Sequence, residues 1–160
     1  MPLNATKLAR RMAVLLLPLA LIACRTGGGS GARMELAEVG LSMSAPAGWS
    51  VSQDAPAMCS KGDYTGVVIA EPLQGLDFNQ RVDTLARAQN SQIIAKTSTT
   101  ISGRPAVEAV LAYPDTGVRA MKAYIHKGDK LIEVSFVASE ADFPKYESAF
   151  RASMASIRIQ

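Results

Sequence analysis

From Val39 onward the apolar residues come in short runs broken by turn-forming residues, a pattern that predicts short β-strands interrupted by two helices. Leu41 and Met43, then Trp49 and Val51, alternate with small or polar residues around Ala45-Pro46-Ala47-Gly48, predicting two short strands joined by a tight turn. Gly66 to Glu71, with Val67-Val68-Ile69-Ala70 inside it, reads as a third strand. Between Asp77 and Gln89 the period changes. Phe78, Val82, Leu85, Ala86 and Gln89 recur at three- and four-residue steps, Asn79, Gln80, Asp83 and Arg87 face away, and Asp77 serves as N-cap. Four strands follow, over 93–101, 106–113, 118–126 and 130–138, separated by Ser102-Gly103-Arg104-Pro105, Pro114-Asp115-Thr116-Gly117 and Lys127-Gly128-Asp129. Ile132, Val134 and Phe136 share one face, and Leu131, Glu133 and Ser135 the other, as in an antiparallel sheet with a single packed side. Phe143, Tyr146, Phe150, Met154 and Ile157 then define a closing helix after the capping-box-like Ser139-Glu140-Ala141-Asp142, with Pro144 in its first turn. Both helices are polar on their outer faces, so their apolar stripes belong to a core.

The first two dozen residues follow different rules. Met1 to Arg11 is polar and basic, and Met12 to Ile22 is an apolar run of eleven residues interrupted only by Pro18. A helix of that length rises about 16 Å, well short of the ~30 Å hydrocarbon core, so the run fits a cleavable signal sequence and not a stable span. Leu21-Ile22-Ala23-Cys24 resembles the bacterial lipobox, in which an aliphatic residue, a tolerant position and a small residue precede a cysteine. That resemblance implies alkylation of the Cys24 thiol by diacylglycerol, cleavage between Ala23 and Cys24, and acylation of the new amine. The alternative is an ordinary secretory leader in which Cys24 is a chance thiol. The Arg10-Arg11 pair is not followed by residues that extend a twin-arginine pattern. Two or three acyl chains hold a protein durably where one binds only marginally.

Arg25 to Arg33 is rich in Gly and Ser and reads as a flexible leash spanning about 15–18 Å. The expected organisation is therefore a leader over 1–23, a lipidated cysteine and linker over 24–36, and one α+β domain over 37–160, as suits a chain of 160 residues. In bacteria with two membranes the residue after the lipidated cysteine influences sorting. Arg25 is not the aspartate associated with inner-membrane retention, which favours the periplasmic face of the outer membrane.

Net charge changes little in this picture. The formal excess of three positive charges is carried by Lys7, Arg10 and Arg11 of the leader, which leaves a neutral mature chain without the clustered basic face that nucleic-acid binding needs.

Three segments carry a resemblance to a known superfamily. Ala45-Pro46-Ala47-Gly48-Trp49, Ile101-Ser102-Gly103-Arg104-Pro105-Ala106, and Phe143-Pro144-Lys145-Tyr146-Glu147-Ser148-Ala149-Phe150 with Ser156-Ile157-Arg158-Ile159 resemble the PsbP/Mog1-like proteins. The resemblance covers about Val39 to Gln160. It implies an α/β/α sandwich with an antiparallel sheet of about six to seven strands and two main helices, and a non-catalytic accessory or assembly role. It supplies no metal or ion site that these residues could inherit.

Candidate chemistry is sparse. Cys59 is the second thiol and His126 the single histidine, too few and too far apart for a zinc site. A Cys59–His126 dyad, and with it a hydrolase, would need the two side chains within about 4 Å in an accessible cleft. Gly27-Gly28-Gly29-Ser30-Gly31 follows no strand and lacks the lysine of a phosphate loop. By period two, Lys122, Tyr124 and His126 share a face beside Tyr113, which makes these four a candidate aromatic–basic interaction surface; the alternative is tyrosines packed under a helix with their hydroxyls in water. Two functions follow: a lipid-anchored, non-catalytic interaction or assembly module with an envelope protein as partner, and a carrier of a lipid or similar amphiphile between sheet and helix. No cofactor is expected beyond the acyl groups on Cys24. A sheet plugged by Phe136, Phe150 and Met154 would count against the carrier.

Overall fold

The computed structural model describes residues 31–160, so the leader over 1–23, the Ala23/Cys24 cleavage site and most of the Gly/Ser tether lie outside the described residues. In chain order the elements are β1 (Arg33–Leu36), β2 (Leu41–Ser44), β3 (Ser50–Val51), β4 (Met58–Lys61), β5 (Tyr64–Pro72), α1 (Phe78–Ala86), β6 (Gln92–Ile101), β7 (Arg104–Tyr113), β8 (Val118–Lys127), β9 (Lys130–Ser139), α2 (Phe143–Ala155) and β10 (Arg158–Ile159). A seven-stranded antiparallel sheet runs in the order β3-β4-β5-β9-β8-β7-β6, and a three-stranded sheet in the order β1-β2-β10. Helix α1 lies on one face of the large sheet. Helix α2 and the small sheet lie on the other.

The four-strand meander β6 to β9 forms where the alternation places it, with tight turns between strands. Ser102 and Gly103 both take the left-handed conformation (φ 52° and 74°), as a two-residue hairpin turn matched to strand twist requires. Asp77 caps α1 reciprocally: its carboxylate accepts from the Gln80 N–H at 2.9 Å, and the Gln80 side chain accepts from the Asp77 N–H. The helix stops at Ala86, and Ala88–Asn90 continues as a single 3-10 turn.

Several expectations are corrected. Residues 33–36, read as linker, form a strand of the fold: β1 pairs antiparallel with β2, and Met34 is fully buried. The two strands around Ala45–Gly48 both form, but in different sheets. Trp49 N–H closes a turn on the Pro46 carbonyl at 3.0 Å, with Gly48 left-handed, and this turn carries the chain from one layer to the next. The large sheet is packed on both sides, since Leu131, Glu133 and Ser135 are buried along with Ile132, Val134 and Phe136. The segment before α2 forms no capping box. Asp142 occupies the cap position without a side-chain cap bond, because its carboxylate accepts the Tyr64 hydroxyl; Ser139 Oγ accepts the Asp142 N–H instead.

The α2 side is apolar and filled. Phe150 stacks on Phe136 at 5.1 Å and meets Trp49 and Phe143 edge-on at 5.4 and 5.9 Å. Gly66 makes room for this block, since a Cβ there would come within 2.5 Å of the Phe136 ring and 2.7 Å of the Cys59 sulfur.

Candidate functional site

The sheet's inner strands put Tyr113, Lys122, Tyr124 and His126 on the α1 face, where the shared period placed them, but as a packed layer and not as an exposed surface. Tyr124 is fully buried. Lys122 pairs with Glu133 of β9 at 2.6 Å, with both side chains nearly sealed from water. Burial works against the Lys122 ammonium, yet Glu133 and then Tyr113 outweigh it and hold its pKa above the ordinary lysine value. A second pair, Arg81 of α1 to Glu71 of β5 at 2.6 Å, lies on the same face. The Tyr124 hydroxyl has no hydrogen-bond partner among the described residues; burial first, then Glu133, Tyr113 and Glu71, push its pKa up. His126 stacks its ring on Phe78 at 5.2 Å, and its Nε2 donates to the Gly128 carbonyl at 2.9 Å. These charges neutralise one another. The layer holds α1 to the sheet, and breaking one partner of such a buried pair typically costs about 3–5 kcal/mol.

Cys59 belongs to the opposite face. It sits on β4 against Gly66 and Phe136, is almost wholly buried, and has its thiol pushed up to about 12 by burial, only partly offset by the Gly66 backbone hydrogen bond. The sheet therefore stands between Cys59 and His126, and the geometry brings together no dyad. Among the described residues no three His, Cys, Asp or Glu side chains converge on a common point that could hold a metal ion. Phe136, Phe150 and Met154 are all buried in one cluster, so among the described residues the sheet–α2 interface is filled by the side chains expected to plug it, which counts against an amphiphile carrier.

What the sheet does present is an edge. β6 ends the strand order and, among the described residues, pairs only with β7. All its residues from Gln92 to Thr100 are exposed, and only Ile101 is half-buried. Ten residues of backbone thus offer one row of N–H and C=O groups that no described strand satisfies, the arrangement that templates strand addition. The register fixes which side chains flank it. Lys96 and Ser98 oppose Ala109 and Val107 and so lie on the α1 face, while Ala95, Thr97 and Thr99 lie on the α2 face. Lys96, the one charge on the strand, is held by Asp83 of α1, whose pKa is lowered by that bond. A register shift between Ile93 and Ala95 leaves Ile94 at 53 % exposure. The opposite edge, β3, is two residues long and lies between Pro46 and Pro56. Sequence reasoning located strand β6 but not its role. The available signal was that Lys96 to Thr100 is polar on both faces, where a covered strand would alternate.

No family model matches the sequence, and no curated protein does. Solved structures are similar in fold at low identity. Cyanobacterial PsbP (CyanoP) from Synechocystis sp. PCC 6803 is 17 % identical, with a TM-score of 0.56 over 88 % of this chain and 99 % of that one. LpqN of Mycobacterium tuberculosis, described as involved in cell envelope biogenesis, is 13 % identical, with a TM-score of 0.54 over 84 % and 87 %. PA94 of Pseudomonas aeruginosa, a protein of unknown function, is 18 % identical, with a TM-score of 0.52 over 79 % and 95 %. The chain has the α+β fold of the PsbP-like proteins, an antiparallel sheet carrying a helix on each face.

Proposed function

We propose that this protein is a non-catalytic interaction module of the bacterial envelope, anchored by acyl chains on Cys24 and engaging another protein chain through the β6 edge. The observation that carries the proposal is the contrast between a polar interior whose charges are spent on internal pairs and a ten-residue edge left open. Cys59 cannot serve as a nucleophile at neutral pH while its thiol stays buried and protonated. The lipobox-like Leu21-Ile22-Ala23-Cys24 supports anchorage, and a fold shared with a mycobacterial protein described as acting in cell envelope biogenesis agrees with that setting. Arg25 favours the periplasmic face of the outer membrane.

Two experiments test the proposal. Cys24→Ser should leave an unprocessed precursor without acyl label; normal maturation of that variant would contradict anchorage. A photoreactive amino acid at Ser98 of β6 should give a protein adduct in living cells, and one at Ser50 of β3 should not. Equal adducts at both, or none at Ser98, would overturn the edge as the binding element.

A further inference from the structure

We infer that the strand completing the β6 edge is β6 of a second copy of this chain, paired antiparallel about a two-fold axis at Ser98; the inference rests on the edge reading above. Strand addition needs a partner whose residues match those already present, and β6 matches itself in one register better than in others.

In an antiparallel ladder, opposed residues share a face, so two identical strands can pair only about a residue of the strand itself. An axis at Lys96 sets the two lysines directly against each other, a like-charge pair that destabilises. An axis at Thr97 or Thr99 leaves only about five residues in the ladder, because the Ile93/Ala95 shift cuts it at one end and the Ser102-Gly103 turn at the other. An axis at Ser98 gives seven uninterrupted residues, Ala95 to Ile101. Thr97 then faces Thr99 twice, Lys96 faces Thr100, and Ala95 faces Ile101. Threonine pairs across strands are among the favourable ones. Each Lys96 also keeps the Asp83 of its own chain, so forming the pair sacrifices no existing bond. Just beyond the ladder, each exposed Ile94 comes up against the other copy's hairpin turn.

The symmetry also suits an anchored protein. A two-fold axis between antiparallel edge strands stands perpendicular to the sheet, so the joined fourteen-stranded sheet keeps each copy's α2 face on the same side. β1 packs on that face, with Met34 in the cluster that includes Phe150 and Met154. Both chains therefore enter their domains from one side, and both can reach one membrane. Copies confined to a single surface meet at a raised effective concentration, where a short ladder suffices.

The test uses the full chain, expressed in a bacterial host and purified as processed. Ser98→Cys should give a covalent dimer on mild oxidation, while Thr100→Cys, whose copies lie about four residues apart along the ladder, should not; Cys59 stays shielded in both. Equal crosslinking by the two variants indicates collision and overturns the register. Thr97→Lys with Thr99→Lys should weaken association by about tenfold, and Thr97→Lys with Thr99→Glu, which sets opposite charges face to face, should restore or tighten it. Identical behaviour of these two double variants overturns the pairing. The photoreactive residue at Ser98 separates self-pairing from capture of a different chain. An adduct of twice the chain mass supports self-pairing, an adduct of another mass overturns self-pairing but keeps the edge reading, and no adduct overturns both.

Discussion

The two ends of the large sheet are built on different terms. At the β3 end the strands are short, the edge is two residues long, and α2 with the small sheet covers the surface with interlocking aromatic rings. At the β6 end a ten-residue strand is exposed from Gln92 to Thr100, with Lys96 held by Asp83 and Ile101 alone packed at the margin of the core. Burial produces stability and an open backbone row produces pairing, so substitutions at the first end should act on folding and substitutions at the second on association.

The largest effect should come from the aromatic block. Phe150→Ala removes the ring that Phe136, Trp49 and Phe143 all touch, and chemical denaturation should show a loss of about 3–5 kcal/mol. A loss below about 1 kcal/mol would mean that the covered end is not the stable one. Cys59 extends the same contrast to pH. Its folded-state thiol pKa is about 12 against an ordinary value of 9.0, so its contribution is complete below pH 9 and is lost as pH rises towards 12. Unfolding measured across that window should therefore steepen in the native chain and flatten in Cys59→Val, and folded protein at pH 8 should resist alkylation.

Between the two ends lies the polar layer, where effects should be intermediate. Tyr124→Phe deletes a buried hydroxyl that has no partner among the described residues and should raise stability by about 1 kcal/mol; a loss of similar size would show that the hydroxyl is bonded in solution. The smallest folding effect belongs to the open edge. Thr97→Lys and Thr99→Lys should each change unfolding free energy by no more than about 0.5 kcal/mol while weakening association, because both side chains are exposed. A cooperative loss of stability there would erase the difference between the ends.

The meander was legible in the sequence because β8 and β9 alternate and because Ser102-Gly103 and Gly128 supply the left-handed turns. The short pieces were not. β4 turns only Cys59 inward, β10 is two residues long, and β1 contributes Met34 and Leu36 from the edge of a Gly/Ser-rich tether, so none of them builds a period. The second packed face was hidden for an electrostatic reason. Lys122 and Glu133 look like surface residues one strand at a time and pair in the interior because the register, with Lys122 opposite Ser135 and Tyr124 opposite Glu133, makes them diagonal neighbours. Likewise, β6 could be read as a strand, but that it forms the edge follows from the order of all seven strands, which local spacing does not encode.

Hydrogen exchange of the β6 amides at increasing protein concentration bears most directly on the open edge. The outward-pointing N–H groups between Ala95 and Ile101 should exchange fast in dilute protein and slow as concentration rises, while those of β3 stay unchanged. Fast exchange of those amides at every concentration would contradict pairing between copies, and slow exchange at every concentration would contradict an edge that stands open in the single chain.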